Sequence, residues 1–452
     1  MIMTDTIAAI SSPPGAAWRG IVRLSGPQAW PIALSLLPPL SNPPAREWLN
    51  ITLARPRLAM GVIFFRAPAS FTGQDVVELH LPGSIPLLQR VLGQLIAAGA
   101  RGAGPGEFSS RAYVNGKCDL TEAEGVAATI AATNEQELRA AQSLRCGLLH
   151  EWTTAQTNAL ADLLAMVEAG IDFSDEPGVS FISAAELLAA IAHLEVKIAN
   201  LLAHAARWET LETLPTVLLV GRANVGKSSL INTLSGQNRA IVSHHAGTTR
   251  DPLSITATTP SGPIRLVDTP GFESIGQSLY PQMDESRQQA MQQADLLVLV
   301  LDHQQAVASF ADLLREMAVR HDQPLIVVRN KADLENDPQK HIIDIHDFIR
   351  VSALTGQGLE NLLAVIGRRC YCRQAIAVET IALNQRHRQA LMHTTRHLRR
   401  AADMAGSGAI EASLELVASD LRAALDDLGG ISGIISTDDV LGRIFGRFCI
   451  GK

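Results

Sequence analysis

The stretch Gly221-Arg222-Ala223-Asn224-Val225-Gly226-Lys227-Ser228 decides how the middle of this chain folds. It has the form G-x-x-x-x-G-K-S, with an apolar run, Val217–Val220, before it and a helical pattern from Lys227 onward. Small residues at this spacing let successive backbone N–H groups surround a phosphate, and the start of the helix adds positive partial charge. The stretch therefore predicts a phosphate-binding loop between a buried strand and a helix.

Further polar motifs follow this loop in the order that a guanine-nucleotide site requires. They are Gly247-Thr248-Thr249, Asp268-Thr269-Pro270-Gly271, Asn330-Lys331-Ala332-Asp333 and Ser352-Ala353-Leu354. The Asp333 carboxylate can accept hydrogen bonds from guanine N1–H and the 2-amino group, which adenine lacks, and losing such a paired contact costs about 1–3 kcal/mol. One of these motifs alone could be an ordinary turn between a strand and a helix, whereas the set predicts GTP as the ligand.

Each motif suggests a role. Lys227 reaches the β- and γ-phosphates, Ser228 and Thr249 are the predicted Mg²⁺ ligands, Asp268 holds a Mg²⁺-bound water, and the Gly271 N–H senses the γ-phosphate. Lys227, Asp268 and Gly271 are therefore also the predicted catalytic residues. The full set predicted to contact GTP is Asn224, Val225, Gly226, Lys227, Ser228, Ser229, Ser243, His244, His245, Ala246, Gly247, Thr248, Thr249, Asp268, Thr269, Pro270, Gly271, Asn330, Lys331, Asp333, Ser352, Ala353 and Leu354.

Composition limits the class of protein. The chain has 452 residues, of which 47% are hydrophobic and 18% charged, and a formal net charge of −7. The length suggests about three domains. The charge excludes binding to nucleic acid through an overall basic field, and the apolar content excludes dominant disorder. Apolar runs of about six residues are too short to span a membrane. Five cysteines, an odd number, favour a reducing cytoplasmic setting.

Four segments differ in pattern. Residues 1–117 mix short strand-like runs with turns and predict an α+β domain. Residues 118–212 and 375–452 are helical, and Thr121 with Glu124 has the spacing of a capping box. Residues 213–374 alternate buried apolar runs with helical segments, which is typical of a parallel sheet. We therefore expect a Ras-like P-loop G-domain inserted into an all-α helical domain, with a separate N-terminal α+β domain.

Blocks outside the nucleotide motifs resemble the tRNA-modification GTPase family MnmE (TrmE). The resemblance spans essentially the whole chain, and its two ends make it specific. The matching blocks are Gly20-Ile21-Val22-Arg23-Leu24-Ser25-Gly26, Ser70-Phe71-Thr72-Gly73-Gln74-Asp75, Gly104-Pro105-Gly106-Glu107-Phe108-Ser109, Asn115-Gly116-Lys117, Thr437-Asp438-Asp439-Val440-Leu441-Gly442-Arg443-Ile444-Phe445 and Phe448-Cys449-Ile450-Gly451-Lys452.

The resemblance implies an activity and partners. A cytoplasmic homodimer of the chain would act with an FAD-dependent partner, MnmG (GidA), as a hetero-oligomer. Together they would add an aminomethyl-type group, such as carboxymethylaminomethyl, to C5 of the wobble uridine, U34, of certain tRNAs. The N-terminal domain would bind 5-formyl- or methylene-tetrahydrofolate through Arg23, Glu78, Lys117 and Lys452. Arginine and lysine suit the carboxylates of a folate.

The resemblance also implies that K⁺ stimulates GTP hydrolysis. The matching ligands are the Asn224 side chain and oxygens around Ser243, His245 and Thr248, and the ion would offset charge between the β- and γ-phosphates.

The chain departs from the family in two places. Tyr280 stands where the family has a switch II glutamate, which leaves Glu273, Asp284 and Glu285 as nearby carboxylates, with Glu285 the candidate catalytic one. Leu81-Pro82-Gly83-Ser84 stands where the family usually has His-Gly-Gly.

Several features keep alternatives open. Cys449 is a candidate nucleophile beside Lys452, although most lone cysteines are inert. Cys370-x-Cys372 is too sparse for zinc. A basic run on a predicted helix is either a solvated face or a contact for tRNA phosphates, and it comprises Arg386, Arg388, Arg396, Arg399 and Arg400. The nucleotide motifs alone also fit an Era-type switch in ribosome assembly, and Tyr280 leaves open a degenerate paralogue that hydrolyses GTP weakly.

Overall fold

The structure, a computed structural model, describes most of the chain. The described residues are 4–40, 43–54, 57–172, 182–222, 224–237, 254–268, 290–291, 293–302, 324–334, 348–371, 380–406, 410–433, 444–446 and 448–451.

Two compact units make up the chain. The first comprises Met1–Ala131, Ala140–Arg207 and Val378–Lys452, and the second comprises Ala132–Arg139 and Trp208–Ala377. The first unit holds both the N-terminal and the helical segments that the sequence separates. The second contains the segment predicted at 213–374, with a few more residues at each end and eight residues from earlier in the chain.

A six-stranded sheet forms the N-terminal part of the first unit. Its strands are β1 (Ile7–Ile10), β2 (Ala17–Ser25), β3 (Leu49–Ala54), β4 (Arg57–Phe65), β5 (Val76–Gly83) and β6 (Arg101–Gly102), in the order β3-β4-β5-β2-β1-β6. Its helices are α1 (Ala29–Leu36), α2 (Ile85–Ala97) and α3 (Glu107–Val114). One face of the sheet packs on α1 and α2 through Val22, Leu24 and Leu79. Since side chains alternate along a strand, the opposite face carries polar residues.

Long helices form the rest of the first unit. They are α4 (Leu120–Ala131), α5 (Glu135–Arg145, whose first residues belong to the second unit), α6 (Leu148–Asp172), α7 (Ala184–His204), α11 (Gln385–Gly406) and α12 (Ile410–Ser432). Helix α12 packs on α6 and α11, and α11 packs on α7. Two short parallel strands, β7 (Ala206–Arg207) and β14 (Ala382–Leu383), pair where the chain leaves and re-enters this unit.

The second unit is built on another six-stranded sheet. Its elements are α8 (Trp208–Glu212), β8 (Thr216–Val220), α9 (Lys227–Gln237), β9 (Ser254–Thr259), β10 (Gly262–Asp268), β11 (Leu296–Leu301), β12 (Leu325–Arg329), β13 (Phe348–Arg350) and α10 (Leu359–Tyr371). The order is β13-β12-β11-β8-β10-β9, parallel except for the edge strand β9. Strands β8 and β11 are buried almost throughout. This is the expected G-domain architecture, in which ligands bind at the carboxyl edge of the sheet.

The capping box of α4 lies two residues earlier than the sequence predicted. Asp119 Oδ1 accepts hydrogen bonds from the backbone N–H of Thr121 and of Glu122, at 2.6 and 2.9 Å. Glu122 Oε2 accepts in return from the Asp119 N–H at 2.9 Å. The predicted pair, Thr121 and Glu124, was wrong because aspartate caps as well as threonine does and is followed three residues later by its own glutamate.

Within the described residues, only α7 is long and apolar enough to cross a membrane, as judged by length and composition. Its Leu187, Ile191, Leu194 and Ile198 are buried within the protein. A core helix of this kind meets the same criterion, so α7 is weak evidence for a membrane span.

Candidate functional site

The phosphate loop follows β8, and its backbone shape explains its glycines. Gly221 has a φ of +153°, and a Cβ there would lie 2.4 Å from the carbonyl oxygen of Val300. Gly226 has a φ of +93°, and a Cβ there would lie 2.3 Å from Nδ2 of Asn330. Asn224, a residue type that tolerates the left-handed region, has a φ of +64°. A side chain at either glycine would therefore clash with the neighbouring strand or loop.

Lys227 is buried at the start of α9, with 6% of its surface exposed. Its Nζ donates to the carbonyl oxygens of Gly221 and Arg222, each at 3.0 Å. These contacts fold the lysine back over the loop.

Two oxygen groups that suit a hard cation lie together at this loop. Ser228 Oγ donates to Asp268 Oδ2 at 2.7 Å, because β10 runs parallel to β8 and ends beside the loop. The buried Asp268 Oδ1 has no hydrogen-bond partner within the described residues. A hydroxyl beside a carboxylate with a spare oxygen fits the chemistry of Mg²⁺, which binds through few protein oxygens and keeps several waters.

The predicted guanine motif contacts the phosphate loop directly. Asn330, which is 2% exposed, donates from Nδ2 to the carbonyl oxygen of Val225 at 3.0 Å, and its Oδ1 accepts from the Ala353 N–H at 3.1 Å. Asn330 therefore links the loop to the Ser352-Ala353-Leu354 motif. Thr233 Oγ1 of α9 supports the same motif by donating to the Ala353 carbonyl at 2.8 Å.

The exposed side chain of Asp333 is held at one of its two oxygens. Ser352 Oγ donates to its Oδ1 at 2.5 Å. Lys331 Nζ pairs with Asp302 Oδ2 at 2.8 Å, so Asp302 fixes a lysine whose φ is +63°. The sequence analysis missed Asp302, whose signal is an acidic residue directly after the buried strand β11. Leu354 is 86% exposed at the rim of the site.

Many predicted site residues lie outside the described residues. They are Ser243, His244, His245, Ala246, Gly247, Thr248, Thr249, Thr269, Pro270, Gly271, Tyr280, Glu285 and Lys452, together with Ala223 of the loop.

Two of the predicted folate residues are directly opposite each other on the polar face of the N-terminal sheet. Arg23 of β2 pairs in register with Glu78 of β5, and their side chains form an ion pair at 2.8 Å. The hydrogen bond to His80 and the charge of Arg23 lower the pKa of Glu78 against the effect of burial. Lys117 is exposed, and its stem lies beside Gly73.

Aromatic and basic residues extend this polar face. His80 Nε2 lies 3.2 Å from Glu78 Oε2, and its ring lies 5.0 Å from that of Trp48. Arg19 covers the Trp48 ring at 4.8 Å. The sequence analysis missed Arg19, His80 and Trp48, although the alternation of Arg19, Ile21 and Arg23 along β2 could have placed Arg19 on this face.

The departure at Leu81-Pro82-Gly83-Ser84 forms the end of β5 and the residue before α2. Leu81 is buried in the core, and Gly83 pairs with Ala17 of β2. A Cβ at Gly83 would lie 2.5 Å from the Ala17 carbonyl oxygen. Two of the residues that differ from the family pattern therefore contribute to the structure, Leu81 in the core and Gly83 in the pairing of β5 with β2.

Residues 448–451, the C-terminal segment, lie against the N-terminal sheet and α3. The Gly106 N–H donates to the Cys449 carbonyl at 3.3 Å, Pro105 forms an antiparallel bridge with Ile450, and Ser11 Oγ donates to the Gly451 carbonyl at 2.9 Å. The Cys449 side chain is exposed. The backbone of the segment is thus fixed while its thiol is accessible.

The structure also describes the surroundings of the remaining cysteines and arginines that the sequence singled out. Burial and the charge of Asp295 raise the pKa of Cys370 to about 12, so its thiol is not reactive, and Cys372 lies outside the described residues. The described residues contain no cluster suited to a metal through His, Cys, Asp and Glu.

Arg386, Arg399 and Arg400 have carboxylate partners, in Glu124, Glu195 and Asp420. Their charges are therefore less available to tRNA than the sequence suggests.

Comparison with known proteins gives whole-length matches. Residues 6–117 match the family model described as GTP-binding protein TrmE N-terminus, and residues 120–449 match the MnmE helical domain. Proteins named tRNA modification GTPase MnmE are similar throughout. The one from Sodalis glossinidius is 36% identical over 100% of both chains, and that from Azoarcus sp. is 37% identical over 99% of this chain and 98% of its own. The one from Xanthomonas campestris pv. campestris is 38% identical over 100% of this chain and 99% of its own.

Among solved structures, Aquifex aeolicus Era bound to GDP·AlF4⁻ is 26% identical over 41% of this chain and 66% of its own. Its TM-score is 0.30, which is too low to establish a shared fold. The two family models and the full-length relatives are decisive, and they show that the chain belongs to the MnmE family of tRNA modification GTPases.

Proposed function

We propose that this chain binds and hydrolyses GTP and uses the nucleotide cycle in the modification of tRNA at the wobble uridine. The observation that supports GTP most directly is the Asn330 side chain, which joins the phosphate loop at Val225 to the base motif at Ala353. This bridge supports the proposal that a phosphate site and a guanine site share one sheet edge. The full-length similarity to relatives named tRNA modification GTPases supports the tRNA role.

Each residue has a proposed part in the GTPase site. Backbone N–H groups of the loop and the Lys227 ammonium bind the phosphates, and Asp333 Oδ2 accepts from the guanine edge while Ser352 holds Oδ1. Ser228 and Asp268 would hold Mg²⁺, which supplies charge that offsets the developing negative charge on the phosphates. Lys227 provides the same stabilisation from the protein, because its charge lies in a site where few water molecules screen it.

The potassium and folate sites are also proposals. Asn224 stands at the turn of the loop, with a left-handed backbone. On the N-terminal sheet, Arg23, Glu78 and His80 form one polar cluster, and His80 Nδ1 has no hydrogen-bond partner within the described residues. Such a cluster, together with the exposed Lys117, suits the polar ring and the carboxylates of a tetrahydrofolate.

We further propose that the chain acts as a homodimer with an FAD-dependent partner. The dimer and the partner are what membership of the MnmE family implies, and a flavin on the partner would supply the redox chemistry of a one-carbon transfer.

Nucleoside analysis tests this function. A strain that lacks the gene is complemented with the wild-type chain or with Lys227→Ala, and the wobble nucleosides of its tRNA are measured by mass spectrometry. We expect the wild type to restore the modified uridine and Lys227→Ala to leave unmodified uridine. Intact modification in the deletion strain, together with abnormal ribosome profiles, would instead support the Era-type alternative.

The degenerate-paralogue alternative needs a separate measurement. Phosphate release by the purified chain with Mg²⁺ and KCl distinguishes it from an active enzyme. Tight GTP binding with release no faster than a Lys227→Ala background would support the paralogue.

A further inference from the structure

A partly buried ion cluster joins three helices of the first unit. Arg386, at the start of α11, donates to the Glu124 carboxylate of α4 from Nε and Nη2, at 3.2 and 3.0 Å. His387 Nε2 lies 2.8 Å from Glu124 Oε2, and His387 has no exposed surface. Burial alone would raise the pKa of Glu124, but the charges and hydrogen bonds of His387 and Arg386 lower it to about 2. Glu124 is therefore ionised and fixes the orientation of the Arg386 guanidinium.

The same guanidinium caps the end of α12. Arg386 Nη1 donates to the Gly430 carbonyl at 2.8 Å, and Nη2 donates to the Ile431 carbonyl at 3.2 Å. Tyr113 OH donates to the carbonyl of Gly433, which follows the helix. The last carbonyls of a helix have no partner within it, and a cation there also interacts well with the helix dipole. Side chains from two other helices thus determine where α12 ends.

The elements that fix the end of α12 also hold the next described part of the chain. Phe445 packs on Leu120 and Ala123 of α4, the helix that carries Glu124, and its ring lies 6.2 Å from that of Tyr113. Phe448 packs in the same cluster and lies 5.3 Å from Phe445. Cys449 follows directly, with its backbone bound to Gly106.

We propose that Arg386, oriented by Glu124 and His387, is a positioning residue that holds the Cys449-bearing C-terminal segment against the N-terminal sheet. It acts by fixing the end of α12 and the place of α4, which together form the surface for Phe445 and Phe448. The effect on catalysis rests on the proposed function, whereas the effect on the segment does not. Arg386 belongs to the basic run that the sequence suggests as a contact for tRNA phosphates. The positioning role proposed here is a different one.

Hydrogen exchange of the full-length chain tests the structural effect. In Arg386→Gln, peptides that contain Gly106 and residues 444–451 should exchange at least about fivefold faster than in the wild type, since each lost hydrogen bond changes the local opening equilibrium by roughly that factor. Wild-type exchange in these peptides would overturn the proposal.

Three further variants keep the result interpretable. Leu391→Ala truncates a fully buried residue of α11 and leaves the hydrogen bonds of Arg386 to the end of α12 in place, so it destabilises the helices and should change exchange of the segment less than twofold. Gly106→Ala is the positive control, because its Cβ would lie 2.6 Å from the Phe445 carbonyl oxygen. If Arg386→Gln does not fold, Tyr113→Phe carries the test, since it removes only the hydroxyl on Gly433. An unchanged segment in Tyr113→Phe would overturn the proposal.

Kinetics separate positioning from tRNA binding. With the partner protein and substrate tRNA, Arg386→Gln should lower kcat for modification about tenfold and leave KM for tRNA and the rate of GTP hydrolysis within twofold. A raised KM with unchanged kcat would identify Arg386 as a phosphate contact and overturn positioning. If the wild-type chain modifies no tRNA, the proposed function fails, and hydrogen exchange still decides this inference.

Discussion

Asp333 presents one carboxylate oxygen to the proposed base site, since Ser352 Oγ donates to the other at 2.5 Å. In Asp333→Asn, one acceptor becomes an amide donor, which repels the guanine N–H groups. We expect GTP affinity to fall about 10- to 100-fold, consistent with the loss of a paired contact. Xanthosine triphosphate, which carries a carbonyl at C2, should bind the variant better than GTP does. Calorimetry with both nucleotides measures this, and unchanged GTP affinity would contradict the guanine assignment.

Gly226 illustrates how one missing side chain shapes the loop. Its φ of +93° and the 2.3 Å approach of a Cβ to Asn330 Nδ2 predict that Gly226→Ala separates the loop from the base motif. GTP binding should weaken at least tenfold, as measured by calorimetry. The matched control is Gly93→Ala in α2, where a Cβ meets nothing within 4 Å. That variant should raise the free energy of unfolding by about 0.5–1 kcal/mol and leave GTP binding unchanged.

Asn224 carries the potassium proposal. Phosphate release from GTP should be faster in KCl than in NaCl at equal ionic strength, because only K⁺ would occupy the proposed site between the phosphates. Asn224→Ala should lose most of this difference while the loop still binds GTP. Equal rates for the wild type in both salts would remove the ion from the mechanism.

Among the elements, α4 depends most on one ion pair. The pKa of Glu124 is about 2 in the folded chain, below its usual 4.5. A lowered pKa stabilises the fold fully above about pH 4.5, and that contribution disappears as the pH falls toward 2. The shift corresponds to roughly 3 kcal/mol. We therefore expect Glu124→Gln to lower the free energy of unfolding strongly at pH 7 and much less at pH 3.

Urea unfolding at the two pH values measures this difference. The matched control is Glu135→Gln, which removes an exposed ion pair with Arg139. Exposed pairs contribute about 0–1 kcal/mol, so the control should change little at either pH. Equal losses for Glu124→Gln at pH 3 and pH 7 would show that the carboxylate is not the stabilising form.

Elements with a strong local pattern could be predicted from sequence, and those fixed by distant partners could not. The runs at β8, β10, β11 and β12 were recognised because burial on both faces requires continuous apolar residues. Strand β9 was missed, since its alternating Thr and Ser residues resemble a loop until β10 pairs with it. Helix α12 continues through Gly429 and Gly430, a residue type that weakens a helix, and Arg386 binds the carbonyl of Gly430.

The residues of the candidate site divide in the same way, into those with a local sequence signal and those that depend on a distant partner. Lys227, Asn330 and Asp333 were found because their spacing is itself the signal. Asp302 and Trp48 were not found from the sequence. Asp302 contacts Lys331 and Trp48 contacts His80, and only the folded sheet brings each pair together.

At the scale of the whole molecule, the main segment of the second unit, residues 208–377, lies in the chain between two strands of the first unit that pair with each other. Ala206 and Ala382 are paired neighbours in the short β7–β14 ladder. About eight Gly and Ser residues, which span roughly 15 Å, should therefore replace residues 208–377 without straining the first unit. We expect the shortened chain to keep its helical circular dichroism and to lose GTP binding.

Hydrogen exchange identifies which residues are destabilised when residues 208–377 are replaced. Residues 132–139 belong to the second unit, where Gln136 Nε2 donates to the Tyr371 carbonyl at 2.5 Å. Exchange should rise there and stay unchanged in α11 and α12. Faster exchange throughout the helices would mean that the first unit does not fold by itself.

The bridge between Pro105 and Ile450 has a consequence for how the protein is made. The ribosome completes the sheet around Pro105 well before it reaches Ile450, and at about 5–20 residues per second the interval is on the order of half a minute. During that time the groove beside Gly106 has no occupant. A nascent chain thus cannot assemble this corner of the molecule, and a product cut short by a late stop codon would lack the bridge.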